Sequence, residues 1–205
     1  SGRGLDPARN YCWKIMTWNS SRMFSPFSQI ASFSMKKAPG YNLLFDGGFE
    51  NDGYGWHGVT HTDREVATSE VYNGKKSLLM KCSPVFGRRI FQDVDIRGGT
   101  SYLAESWMKT DGVHKDGVRF QLIWLRTKIP KGATLERYAL REETVASVSG
   151  SSGWTCYSGL FQAPNDAHAG RFQIVMTPDK SGGKVWIDNN RLIPTAEQCA
   201  KATTG

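Results

Sequence analysis

Hydrophobic and polar residues alternate in short runs from residue 41 onward, and Gly, Asn or Asp separates one run from the next. The pair Asn73-Gly74, between two apolar runs, is a strong signal for a tight turn. No long segment repeats its apolar residues with the helical period of about 3.6. The pattern predicts an all-β fold, an antiparallel β-sandwich of the jelly-roll type. The predicted strands cover residues 41–45, 66–72, 77–82, 89–96, 101–109, 118–127, 143–148, 154–162, 170–177 and 184–192.

Alternation within three of these strands predicts which side chains face the core, because successive side chains of a strand point to opposite faces of its sheet. The sets expected to face inward are Tyr102, Ala104, Ser106 and Met108; Phe120, Leu122 and Trp124; and Phe172, Ile174 and Met176. The sets expected to face outward include Glu105, Trp107 and Lys109; Arg119 and Gln121; and Arg171 and Gln173. If these outward sets share a sheet, they form one surface that mixes an indole with charged and amide groups.

The first forty residues do not follow this pattern, and they predict an irregular arm. They are rich in Ser and poor in acidic residues, yet they carry several aromatic residues; a short piece near 26–33 is the best helix candidate. An arm of this kind is ordered only when it packs on its own domain or on a partner chain. We therefore expect an arm over 1–40, a β-sandwich domain over 41–196 and a tail over 197–205.

The positive charge of the chain is concentrated in this arm. The whole chain has a formal net charge of +7, and residues 1–40 contain six basic side chains against Asp6 alone. The domain is therefore close to neutral, which argues against nucleic-acid binding by its surface. A basic arm can instead contact phosphates, an acidic glycan or an acidic protein face, or serve only as a solubilising segment. No run approaches the roughly 18 apolar residues that a membrane-spanning helix needs.

The four cysteines have no spacing that favours a metal site. Cys82 and Cys156 lie in predicted strands, where a small core residue is the ordinary interpretation. Cys12 and Cys199 lie outside the predicted domain, one near each end. An oxidising compartment would allow these two to pair, but sequence does not define the connectivity.

A series of short motifs follows one another in order over about residues 41–194. The motifs are Asn42 to Glu50 followed by Gly55-Trp56, Gly74 to Leu78, Gln92 to Val94, Gly98 to Tyr102, Trp107 to Lys109, Gly153-Trp154, Phe161 to Pro164 and Val185 to Asn189. This series resembles jelly-roll carbohydrate-binding modules of the group that includes families 4, 9 and 22. The arm at 1–40 has no counterpart in the family pattern, and the loop at 127–140 is longer than that pattern.

The resemblance implies a structural calcium ion and a secreted or cell-surface protein. Such modules hold calcium near the entry and exit strands, and the matching positions here are the carboxylates of Glu50 and Asp188. Backbone carbonyls around Gly48 and Lys76 would complete the set. Calcium takes about six to eight oxygen ligands, so two carboxylates with carbonyls and water suffice. Without the ion, Asp188 would cap a turn and Glu50 would be a solvated charge.

A pyranose ring presents an apolar C–H face and a rim of hydroxyls, so its site needs a flat aromatic ring and fixed polar groups. Trp107 is the predicted platform, since the resemblance places Trp56 and Trp154 where such folds commonly bury an aromatic. The predicted carbohydrate-binding residues are Trp107, Glu105, Lys109, Arg119 and Gln121, with Tyr54 and His57 as an end platform.

Sequence motifs for catalysis are weaker than those for carbohydrate binding. A glycosidase needs two carboxylates facing each other across a cleft, whereas Glu142 and Glu143 are adjacent and point to opposite sides of a strand. No GxSxG motif is present. We therefore expect no catalytic residues and no enzyme activity.

Two functions remain. The first is non-catalytic binding of a polysaccharide or oligosaccharide, such as a β-linked glucan or xylan, through an aromatic and polar face. The second is a structural or assembly subunit, decorating a virion or cell surface, whose arm at 1–40 contacts a neighbouring subunit. An exposed Trp107 favours the first, and arm aromatics packed on another chain favour the second.

Overall fold

The structure is a computed structural model that describes residues 10–21, 23–34, 41–58 and 64–195. The chain divides into two compact units, Ser1–Tyr41 and Asn42–Gly205. Across the described residues, no helix is long and apolar enough to cross a bilayer.

The first unit contains an antiparallel pair of strands, β1 (Asn10–Trp13) and β2 (Ala31–Ser34). A bridge between Trp18 and Phe24 continues the pairing toward the turn. The helix expected near 26–33 is wrong, because residues 31–34 pair with β1 instead. Cys12 is exposed and Cys199 lies outside the described residues, so their pairing stays a prediction. Several large apolar side chains of this unit are exposed: Trp13, Ile15, Trp18, Met23, Phe24, Phe27 and Ile30.

The described part of the second unit contains seven strands and one short 3-10 helix. The predicted strands 101–109 and 118–127 belong to one long strand, and the predicted strands 143–148 and 154–162 belong to another. Residues 41–45 are described, but they do not form the expected strand. The elements are β3 (Arg64–Ala67), β4 (Ser77–Lys81), β5 (Arg88–Asp95), β6 (Ser101–Leu125), η1 (Leu135–Arg137), β7 (Ala139–Gln162), β8 (Ala169–Met176) and β9 (Lys184–Pro194).

Strand β6 bends in its middle, so that its two halves belong to opposite layers of a sandwich. Tyr102 and Trp124 would lie about 70 Å apart on a straight strand, but their ring centroids are 5.7 Å apart. The bend coincides with register shifts against β7 between Met108 and Val118, where Gly112 adopts a φ of +61°. Glycine adopts this left-handed conformation without steric penalty.

The bend defines two sheets. Sheet I contains β3, β4, β9, the first half of β6 and the second half of β7; sheet II contains β5, β8, the second half of β6 and the first half of β7. All these pairs are antiparallel, which confirms the predicted all-β sandwich. The core between the sheets contains all three predicted inward sets, each member at most 2% exposed.

Candidate functional site

A cleft of about 680 Å³ lies on the outer face of sheet II. Its floor contains alternate residues of β5, namely Arg89, Phe91 and Asp93, together with Arg171 of β8. His57 closes one side, where its backbone exchanges two hydrogen bonds with Phe91, both 2.9 Å. The loop between β6 and β7 supplies the opposite wall through residues 129–131 and 133–136. The loop that is long for the family pattern therefore builds one side of the cleft.

The polar groups on the cleft floor are held rigidly by one another. The guanidinium of Arg171 donates from Nε to Asp93 Oδ1 at 2.7 Å and from a terminal nitrogen to Oδ2 at 2.8 Å. The Arg171 side chain is only 6% exposed, and its Cζ lies 3.9 Å from the centroid of the Phe91 ring. Two parallel hydrogen bonds and a cation–π contact fix the guanidinium in one orientation.

Beside this pair, two amide side chains are buried on the outer face of sheet II. Gln173 donates to Gln121 Oε1 at 2.9 Å, and Gln121 donates to Glu142. Gln121 is 4% exposed although its position on β6 points away from the core. Further along β6 and β8, Ile123, Leu125 and Ala169 are covered by Ile129 and Leu135 of the long loop.

A second surface lies on the outer face of sheet I and is built on aromatic rings. Trp107 stacks on Tyr72 with centroids 3.8 Å apart and planes 13° apart, and Trp154 lies 5.9 Å from Tyr72. Tyr72 is 40% exposed. We call Tyr72, Trp107 and Trp154 the aromatic face.

Next to the aromatic face, a hollow of about 480 Å³ is lined by Glu70, Lys109, Trp186 and residues 151–153. Lys109 Nζ lies 2.7 Å from Glu70 Oε2 and 5.5 Å from the centroid of the Trp186 ring. Glu105 pairs more loosely with Arg191, at 3.7 Å. The ammonium of Lys109 therefore lies beside an aromatic ring and pairs with a carboxylate.

The structure divides the predicted carbohydrate-binding residues between these two surfaces. Trp107, Glu105 and Lys109 share the outer face of sheet I, whereas Arg119 and Gln121 lie on the outer face of sheet II. The expectation of one shared face is therefore wrong, because the bend carries the second half of β6 into the other layer. The binding role of each residue stays a prediction.

The remaining two predicted residues precede β3. Tyr54 is 52% exposed and packs edge-on against Phe45, whereas His57 is exposed and lines the cleft. Trp56 is buried at 5%, as the resemblance implied. Trp154 is only partly buried and contacts Tyr72, so the burial implied for it is wrong.

Several residues of these two surfaces were not predicted from the sequence, although for some of them the sequence carries a usable pattern. Arg89, Phe91 and Asp93 alternate with Ile90 and Val94, so the period of two could have placed them outward. Tyr72 and Glu70 follow β3 in a segment without periodic structure, and no local pattern indicates their contacts with β6.

The four predicted calcium positions meet around the turn at residues 72–76. Asp188 is fully buried, and its Oδ2 accepts the N–H groups of Tyr72 and Asn73 at 3.0 and 2.9 Å. Glu50 Oε1 accepts the N–H groups of Lys75 and Lys76 at 2.7 and 3.0 Å.

The two carboxylates also influence each other electrostatically. Burial raises the pKa of Asp188, and the negative charge of Glu50 raises it further. A side chain at Gly48 would begin 3.6 Å from Asp188 Oδ1, so the backbone of that residue approaches the carboxylate closely. The ammonium of Lys76 is directed to Asp52 at 2.8 Å. Carboxylate oxygens are ligands of the kind that calcium prefers, and in this structure backbone N–H groups donate to both carboxylates.

The fold is that of β-sandwich carbohydrate-binding modules. The chain is similar to a family 16 carbohydrate-binding module (19% identity over 74% of this chain and 99% of that one, TM-score 0.58). It is also similar to a family 61 module in complex with β-1,4-galactotriose (16% identity, 75% and 99% coverage, TM-score 0.53). A third similar structure is the enzymatically active domain of bacteriophage CBA120 tailspike protein 4 (14% identity, 75% and 21% coverage, TM-score 0.54). No family model and no curated protein matches the sequence.

Proposed function

We propose that the chain binds a polysaccharide, without cleaving it, in the cleft of sheet II. The observation that carries the proposal is the rigid Arg171–Asp93 pair on the floor of a cleft of about 680 Å³. Two structures with the same fold are carbohydrate-binding modules that this chain covers almost end to end, and one of them holds β-1,4-galactotriose.

The cleft offers a sugar an apolar wall and exposed polar groups. Ile129, Pro130 and Leu135 provide an apolar wall for the C–H face of a ring. His57 and Arg89 provide exposed polar groups for hydroxyls. Because the internal pairing already orders the floor, little conformational entropy is lost when a ligand binds.

The absence of catalysis is part of the proposal. Glycoside hydrolysis requires one carboxyl group to donate a proton and a second to act from the opposite side of the bond. Among the described residues, the acidic ones that line the cleft are Asp93 and Glu136. Both oxygens of Asp93 are engaged by Arg171, which leaves this carboxylate a structural partner of the guanidinium.

Binding to a panel of β-glucan, xylan and β-1,4-galactan, by affinity electrophoresis and calorimetry, tests the proposal. Arg89→Ala should weaken binding about tenfold or more, since a hydrogen bond to a charged group contributes about 1.5–3 kcal/mol. His57→Ala should weaken binding about two- to tenfold, since an ordinary hydrogen bond contributes about 0.5–1.5 kcal/mol. Trp107→Ala is the matched control on the other sheet and should leave affinity unchanged.

Each result of these binding experiments leads to a different conclusion. Failure of the wild type to bind any member of a broad glycan panel would overturn the function. Loss of affinity with Trp107→Ala, but with neither cleft variant, would move the site to the aromatic face. Release of reducing ends from a bound polysaccharide would overturn the non-catalytic assignment.

We also propose that Glu50 and Asp188 hold a structural calcium ion, with carbonyls near Gly48 and Lys76. The ion would supply positive charge between the buried carboxylate of Asp188 and the exposed carboxylate of Glu50, and so stabilise the turn at residues 72–76. The raised pKa of Asp188 and its proximity to Glu50 support this proposal. An extracellular or cell-surface location would fit both the ion and the glycan.

A second candidate function is contact with a neighbouring protein subunit through residues 1–40. The observation that favours it is the exposure of Trp18, Phe24 and Phe27, at 69%, 65% and 60%. The similarity to a tailspike domain is consistent with a virion location. Light scattering of the full chain tests this: an oligomer that dissociates in Trp18→Ser would support it, and a monomer at all concentrations would count against self-association.

A further inference from the structure

Three side chains from separate parts of the second unit meet at the bend of β6. Cys82 directly follows β4, His114 lies in the bend itself, and Asp179 lies in the loop between β8 and β9. One ligand atom of each lies within 4.8 Å of the other two, and all three residues are partly buried. The cluster shares no residue with the cleft or with the proposed calcium ligands.

The contacts of His114 define which ring nitrogen faces the cluster. Nε2 lies 2.9 Å from Thr177 Oγ1, and that hydroxyl donates to the carbonyl of Gly117 at 3.3 Å. This contact occupies Nε2 in either tautomer, so Nδ1 is the ring nitrogen that faces Asp179. Nδ1 is buried, has no hydrogen-bond partner among the described residues and lies 3.4 Å from Asp179 Oδ2.

We propose that Cys82, His114 and Asp179 bind zinc or a similar divalent transition metal. Thiolate, imidazole and carboxylate are the donors that zinc combines in protein sites. Ligand atoms around tetrahedral zinc lie about 3.3–3.6 Å apart, given bond lengths of about 2.0–2.3 Å. The 3.4 Å between His114 Nδ1 and Asp179 Oδ2 already equals such an edge. Three protein ligands leave the fourth position for water.

The groups around the cluster orient its ligands. Asp179 Oδ2 accepts the N–H of Ser181 at 3.0 Å, and hydrogen bonds from Ser181 lower the pKa of this carboxyl, so it is ionised near neutral pH. The Cys82 thiol lies 3.4 and 3.3 Å from the carbonyl oxygens of Thr177 and Asp179, and burial raises its pKa. Metal binding would therefore release the thiol proton to solvent as the sulfur–metal bond forms. Thr177 is a positioning residue, because its hydroxyl holds His114 through Nε2 and leaves Nδ1 directed toward the cluster.

Cobalt(II) titration of the full chain tests the proposal, because thiolate coordination produces a charge-transfer band in the near ultraviolet. Wild-type protein should develop the band, and Cys82→Ser and His114→Ala should bind cobalt more than about 100-fold more weakly. Cys156→Ser is the matched control, since Cys156 is exposed on a different strand, and it should keep the band. A band that is absent from wild type, or that survives in Cys82→Ser, would overturn the proposal.

Two further measurements separate coordination from a folding defect. In wild-type protein, zinc should slow alkylation of Cys82 at least about tenfold while alkylation of Cys156 is unchanged, as read by peptide mass spectrometry. Thr177→Val should weaken cobalt binding about 10–100-fold, as loss of an outer-shell partner does, and Thr177→Ser should restore it. Equal alkylation of Cys82 with and without zinc would refute coordination by the thiolate.

Discussion

The Arg171–Asp93 pair is a place where one substitution should have a large effect on stability. The guanidinium is 6% exposed, and Asp93 occupies the directly paired position on β5. Asp93→Ala removes both acceptors and leaves a buried cation without a counter-charge. Breaking a buried pair in this way costs about 3–5 kcal/mol. We therefore expect the free energy of unfolding to fall by about that amount.

Urea denaturation followed by tryptophan fluorescence measures this loss, and calorimetry should show a melting temperature lower by about 6–20 °C for a chain of this size. Lys128→Ala is the control. Lys128 also pairs with a β5 carboxylate, Asp95, at 2.8 Å, but the two side chains are 46% and 69% exposed. Exposed pairs contribute about 0–1 kcal/mol, so this variant should unfold almost as wild type does.

A double substitution separates pairing from burial. Asp93→Leu with Arg171→Met replaces the pair by apolar groups and should lose much less stability than the sum of the two single changes. If Asp93→Ala costs less than about 1 kcal/mol, no more than an exposed pair contributes, the guanidinium is hydrated and the rigid cleft floor argued above does not exist.

Three further outcomes are expected. The melting temperature of wild-type protein should be higher with calcium than with a chelator, whereas that of Glu50→Gln should be the same in both. An equal rise in the two proteins would contradict the calcium assignment. The pKa of Asp188 is higher in the folded protein than the ordinary 3.8, so without calcium its contribution to stability should fall as pH rises through the window above 3.8. In Asp188→Asn, the free energy of unfolding measured by urea titration should not show this dependence on pH. Gly47→Ala should be destabilising, since its Cβ would lie within 2.2 Å of the Asn190 carbonyl oxygen, whereas Gly153→Ala meets open space and should be neutral by the same assay.

Local periodicity predicted the core because the direction of a side chain depends on its own strand. Tyr102, Phe120 and Phe172 face inward as the alternation requires, and each is at most 2% exposed. The order of strands along the chain followed from the same runs and from the turn signals between them. Such features need no information about distant residues.

The bend of β6 could not be predicted in this way. Thr110-Asp111-Gly112 carries an ordinary turn signal and predicts the end of a strand, whereas pairing with β7 and β9 carries the strand through it. Whether a chain turns or bends there depends on partners about 40–80 residues away. The single shared face predicted for Trp107 and Gln121 failed for this reason.

Burial of outward-facing residues also depends on distant segments. Ile123 points away from the core by alternation, but Ile129 and Leu135 pack against its cluster. Arg171 is covered through its contacts with β5. Cysteine spacing was equally uninformative about Cys82, because its neighbours come from the bend of β6 and the loop between β8 and β9 rather than from nearby sequence.

The bend of β6 accounts for the separation of the two surfaces, because the continuous β6–β7 hairpin contributes residues to the outer faces of both sheets. Trp107 and Gln121 are on the same strand, yet the core lies between the sheets that carry them. Substitutions on the aromatic face and in the cleft should therefore act independently, since residues without shared partners show nearly additive effects. His114 is at the bend between the halves, and its contacts reach the loop that joins β8 of sheet II to β9 of sheet I. A metal held there would connect the two layers at the point where β6 passes from one to the other, so its stabilising effect should extend to both surfaces.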